Sequence, residues 1–150
     1  MKWSITYFYN VRYMKSNQLP LSTAMYPPKW FAVSNKNNII KMDKNNVIIG
    51  LTAKELVPQL QCECPCEKKD YTKCKFLKQY NLQLSKISFK EFTNNLINFC
   101  EKVSYITKIN IDEIILLVFE KPENLCSERT ILKKWFKENG IELNEMEVIK

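Results

Sequence analysis

The chain has no histidine at all, and only two glycines and two arginines among its 150 residues. Without histidine the usual side chain that titrates near neutral pH is missing, and with it the Cys-His and Ser-His pairings of nucleophilic catalysis. Any reaction would rest on a thiolate, carboxylates, lysines or a metal, so the sequence leans towards binding rather than catalysis. Long apolar runs are missing too. The longest clean one, Ile114 to Phe119, has the length of a strand and falls well short of the ~18 residues of a membrane span. The opening MKWSITYFYNVR has no apolar core followed by a small-residue cleavage site, so no signal peptide is expected. These readings imply a cytoplasmic protein without a membrane partner, its six cysteines reduced.

What is present fits one globular domain. Hydrophobic residues make up 45% and aromatics 12%, enough to bury a core without staples. The formal charge is +7. Residues 1–61 carry eight Lys or Arg against two Asp or Glu, whereas residues 62–150 carry fifteen against fourteen. The excess is therefore N-terminal, and it is spread as single lysines, which read as a solvated surface before a nucleic-acid face. Lys, Asn and Ile are all abundant, a bias that AT-rich coding alone produces. Against twenty-one lysines, Arg12 and Arg129 stand out. Only the guanidinium offers a planar fork that grips carboxylate or phosphate with two hydrogen bonds.

Alternation and aromatic content predict a first strand over Ile5 to Tyr9, ending near Asn10-Val11-Arg12. An extended piece follows at Leu21 to Met25, and Pro27-Pro28 fix the direction of Lys29-Trp30-Phe31. A polar loop or small hairpin is expected around Ile39-Ile40, a strand at Val47 to Ile49, and a helical turn at Ala53 to Val57 stopped by Pro58. Asp70 is a good N-cap for a helix with Tyr71, Cys74, Leu77, Tyr80 and Leu84 on one face. Ser88 and Glu91 form a capping box, after which Phe89, Phe92, Leu96, Phe99, Cys100 and Val103 make an apolar face. Ile114 to Phe119 is apolar at every position, as a central strand covered on both faces must be. Ile131, Leu132, Trp135 and Phe136 mark a helix stopping at Gly140, and Glu145 to Ile149 a final strand. Helix, buried strand, helix and strand in succession predict an α/β fold. Its small mixed or parallel sheet carries helices on its faces, a Rossmann-like three-layer sandwich.

In such sheets ligands gather beyond the carboxyl ends of the strands. Glu120 to Leu125 is the loop there, and Ser127 caps the next helix, whose free N–H groups favour an anion. Two readings of Cys126 stand side by side. One is a thiol activated by the helix start and by Arg129; the other is a small buried residue. Glu120 is placed to hold a ligand hydroxyl or to orient an arginine.

Four blocks, YFYNVR, PLSTAMYPPKWF, LTAKELVP and ILLVFEKPENLCSERTILKKWF, occur in that order and span nearly the whole chain. They resemble the signature blocks of the uncharacterised domain-of-unknown-function family 488. The resemblance implies a small α/β sandwich with Arg12, Glu120, Cys126 and Arg129 at signature positions. Members of that family follow the cysteine directly with His and Arg, whereas Ser127 and Glu128 intervene here. The family has no established activity, so the resemblance implies a site and a fold more than a reaction.

Cys62, Cys64, Cys66 and Cys74 lie close together. Four thiolates satisfy tetrahedral zinc, and a structural zinc clip, an iron–sulfur cluster and unliganded cysteines all remain open at this spacing. The leading functional expectation is binding of an anionic, phosphate-bearing small ligand, plausibly a nucleotide, as a sensor or scavenger of nucleotide signals. Arg12 and Arg129 would clamp charge, Ser127 would head the donating helix, and Trp30 or Tyr9, with Asn10 alongside, would offer a stacking face. The alternatives are a thiolate enzyme using Cys126 and a zinc-clipped nucleic-acid-binding module.

Overall fold

In the computed structural model, which describes residues 1–32, 40–59 and 74–149, the sheet is built from segments far apart in sequence. Strand β1 (Lys2–Tyr7) leads into a 3-10 helix, Phe8–Tyr13, and then β2 (Gln18–Ser22). Strands β3 (Lys41–Met42) and β4 (Ile48–Ile49) make a short antiparallel hairpin. A second 3-10 turn, Lys54–Leu56, precedes helices α1 (Lys75–Ser85) and α2 (Phe89–Thr107). Strand β5 (Glu113–Val118), helix α3 (Glu128–Glu138) and β6 (Asn144–Glu145) complete the order.

The sheet runs β2-β5-β1-β6, and every pairing in it is parallel. All six residues of β5 are buried, as the apolar run Ile114 to Val118 requires, and Glu113 at its start is held by Ser4 and Gln18. Ile114, Leu116 and Val118 point to one face with Trp3, Ile5, Leu19 and Leu21. Helices α1, α2 and α3 cover that face through residues such as Leu77, Tyr80, Phe92, Val103, Leu132 and Phe136. Ile115 and Leu117 point to the other face. There the first 3-10 helix (Phe8, Val11), Phe31 and the hairpin residues Val47 and Ile49 form a second core. The α/β fold is therefore as expected. The α-helices share one face, while a 3-10 helix and a hairpin cover the other.

Local boundaries differ from the sequence reading for physical reasons. The first strand starts and ends earlier than Ile5 to Tyr9, because Phe8 folds inward to anchor the second core. The extended piece lies at Gln18–Ser22 rather than Leu21 to Met25, since pairing with β5 sets its register. The last strand is only Asn144–Glu145, placed beside β1, and Met146 already turns into the second core. Helix α1 begins after Cys74, which occupies the N-cap position; Asp70 and Tyr71 lie outside the described residues. Ser88 caps α2 by accepting from the Glu91 N–H, as anticipated, but Phe99 lies off the buried stripe and is exposed. Gly140 ends α3 at φ +85°. Its N–H reaches the Lys137 carbonyl and that of Ile141 the Phe136 carbonyl, the closure a left-handed residue permits.

Candidate functional site at the strand ends

Beyond Val118 the chain leaves the sheet through Phe119 and Glu120 and returns to α3 through a loop stitched by its own polar groups. The Asn124 side chain accepts from the Cys126 N–H at 3.0 Å, and the Thr130 hydroxyl donates to the Leu125 carbonyl at 2.7 Å. Ser127 is fully buried. Its hydroxyl donates to Glu120 Oε2 at 3.0 Å and accepts from the Arg129 N–H at 3.2 Å. The α3 start thus carries a negative charge from its own chain, the Glu120 carboxylate, held by the capping serine.

Arg129 is not an open anion grip. Its side chain is only 4% exposed, and Nη1 donates to the Glu120 carbonyl. Nε stands 2.9 Å from Glu145 Oε1, an ion pair whose N–H is not aligned as a hydrogen bond. Lys133 reaches the other Glu145 oxygen at 3.0 Å. Nη2 is buried with no hydrogen-bond partner among the described residues. Burial pushes the guanidinium pKa down, and the nearby Glu145 and Glu120 push it back up. Arg129 therefore ties the β5 exit to β6 beneath the surface.

Arg12 behaves differently. It is exposed on the 3-10 helix, with its guanidinium carbon 3.7 Å from the centre of the Tyr9 ring and Nε donating to the Tyr9 carbonyl at 3.0 Å. The guanidinium sits over an aromatic face, and its Nη groups make no hydrogen bond among the described residues. Asn10 does not join it, since its amide donates to Thr6 Oγ1 at 2.9 Å. Trp30 is half exposed and packs edge-on against Phe8 at 6.5 Å; Phe8 in turn meets Phe119 at 4.9 Å. The Trp30 carbonyl is anchored by Lys41 Nζ at 3.0 Å.

An open cleft of about 420 Å³ lies beside the loop, lined by Glu120, Lys121, Glu123, Asn124, Leu125 and Cys126. Two carboxylates against one ammonium make it a poor seat for phosphate. Cys126 is disulfide-bonded rather than reduced as the sequence reading expected, and a sulfur so joined is not a thiolate. Cys62, Cys64 and Cys66 lie outside the described residues, while Cys74 is buried against the helical face. Among the described residues no group of three or more His, Cys, Asp or Glu is placed to hold a metal ion. No helix among them is long and apolar enough to cross a membrane.

The structure thus brings Glu120, Cys126, Ser127 and Arg129 together and leaves Arg12, Tyr9 and Trp30 in another setting, around the first 3-10 helix. Sequence reasoning missed two acidic residues. Glu145 is the ionic partner of Arg129, invisible until β6 is placed beside β1. Glu128 is largely buried, and its Oε2 lies 2.9 Å from Thr23 Oγ1. Burial pushes its carboxyl up to about 8, the Thr23 bond opposes this, and the charge of Glu120 adds to it. Its signal in the sequence was faint: a first-turn glutamate facing the segment that leaves a neighbouring strand.

Comparisons with protein-family models, with curated proteins and with solved structures find no match in any of the three.

Proposed function

We propose that this protein binds an anionic ligand bearing a flat ring, a nucleotide-like molecule, around the 3-10 helix that follows β1. The observation that carries this reading is the Arg12 guanidinium, exposed and 3.7 Å from the Tyr9 ring centre, with only its Nε engaged by a hydrogen bond among the described residues. A fork fixed in this way loses little freedom when a phosphate arrives. Half-exposed Trp30, steadied by Phe8 and Lys41, supplies a stacking surface on the same covering layer. The positive balance of residues 1–61 favours approach of an anion. Arg129 has no part in the clamp, because Glu145 and the Glu120 carbonyl already occupy it. The resemblance to family 488 belongs to the same proposal through Arg12.

Isothermal calorimetry against mono-, di- and trinucleotides tests it. Arg12→Ala is expected to weaken binding by about tenfold or more, the worth of a charge-assisted hydrogen bond of ~1.5–3 kcal/mol. Trp30→Ala should lower affinity without changing its dependence on phosphate number. Absence of nucleotide binding by the wild type, or an Arg12→Ala protein that binds equally well, defeats the reading.

A further inference from the structure

Thr23 follows β2 directly, is fully buried, and has two oxygens within hydrogen-bond reach of its hydroxyl. Oγ1 lies 2.9 Å from the Leu117 carbonyl oxygen and 2.9 Å from Glu128 Oε2. A hydroxyl brings one proton, and a carbonyl brings none. If Glu128 were ionised, the Thr23 proton could serve only one of the two contacts. The other would leave a pair of lone-pair oxygens facing each other at 2.9 Å, buried, with no proton between them. A neutral Glu128 removes the conflict: its O–H donates to Thr23, and Thr23 donates to Leu117.

We propose that Glu128 stands as a neutral carboxylic acid whose O–H, given to Thr23, forms a proton-operated latch between the segment leaving β2 and the start of α3. A Thr23 hydroxyl turned towards Glu128 would favour the ionised form, but the charges that face it do not. From the loop after β5, Glu120 brings a second carboxylate, which disfavours another negative charge nearby. From α1, Tyr80 lies close enough to feel a charge on Glu128, but its hydroxyl is directed to the Leu56 carbonyl. On its own helix the neighbouring cation, Arg129, is turned to Glu145 and to the Glu120 carbonyl. The buried carboxyl holding its proton up to about pH 8 is consistent with this arrangement.

The latch has a direction. In the unfolded chain the carboxyl ionises near its ordinary 4.5, whereas in the fold it keeps its proton to about 8. Between those values the folded state binds more protons than the unfolded one, so stability falls as pH rises. The latch contribution is complete below about 4.5 and lost by the time pH has passed through about 8. Thr23 is the root of the segment that carries Tyr26 and Trp30, so opening the latch loosens that root on its α3 side while the Thr23 N–H stays on the Leu117 carbonyl at 3.1 Å. The inference needs no ligand.

Carbon-13 NMR of the full chain, with glutamate carboxyls assigned through the backbone, tests it directly over pH 4 to 10. Glu128 is expected to titrate several pH units above the exposed glutamates, and the Thr23 amide should shift with the same midpoint. In parallel, the wild-type Tm should decline from pH 5 to 8 more steeply than that of Glu128→Gln, whose amide N–H still donates to Thr23. A Glu128 midpoint in the ordinary carboxylate range overturns the proposal, whether or not the variant folds. Parallel Tm profiles for the two proteins overturn it as well.

Discussion

At the scale of single residues the two arginines divide the work that the sequence alone assigned to both. Arg12 lies in water on an aromatic face, and little of the fold depends on its charge. Arg129 lies inside, with Glu145 at 2.9 Å. Glu145 is 32% exposed and keeps Lys133 at 3.0 Å, so losing Arg129 costs chiefly the charge-assisted bond to the Glu120 carbonyl and the ion pair, without stranding the carboxylate. Arg129→Met should destabilise the protein by about 1.5–3 kcal/mol. Urea denaturation at neutral pH checks this, and Arg12→Ala should shift the same curve by less than ~0.5 kcal/mol. A double-mutant cycle with Glu145→Gln reads how much of that loss belongs to the ion pair. The cysteines divide in a similar way. Burial pushes the Cys100 thiol up to about 11, which leaves it a core residue with negligible thiolate at neutral pH.

At the scale of elements, the starts of α2 and α3 carry unequal weight although both are capped by serine. Ser88 is exposed and does one thing, accepting the Glu91 N–H at 3.3 Å. Ser127 is buried and bonds both Glu120 and the Arg129 N–H. Ser88→Ala should lower stability by ~1 kcal/mol, the usual worth of a cap. Ser127→Ala should exceed it by about 1–2 kcal/mol, because the Glu120 carboxylate then loses a buried donor. Paired thermal melts of the two variants decide the order. Much of this was legible beforehand. Ser88 with Glu91, Ser127, the all-apolar run after Glu113 and the stop at Gly140 each carry a local signal that the fold respects. What escaped depended on partners remote in sequence. Phe8 looks like a strand residue until the second core claims it, and Glu145 looks like a surface acid until β6 docks beside β1. Glu128 was overlooked for the same reason, since the oxygen that gives it meaning belongs to Thr23.

At the scale of the whole molecule, β5 is the axis. Its side chains feed both cores, and each flanking strand, β1 and β2, pairs with it in parallel. Leu116, fully buried at the middle of β5, should cost about 2–5 kcal/mol on truncation to Ala, with the whole chain melting in one transition. Two separable transitions by circular dichroism and tryptophan fluorescence would show that the two faces of the sheet fold apart.

That axial strand is made long after both strands it joins. Lys2 lies opposite Glu113, and Gln18 lies opposite the same residue. During synthesis β1 and β2 therefore wait, hydrogen-bonding edges bare, until β5 has left the ribosome. Loops this long close slowly. The nascent chain spends that interval exposed to mispairing with its neighbours.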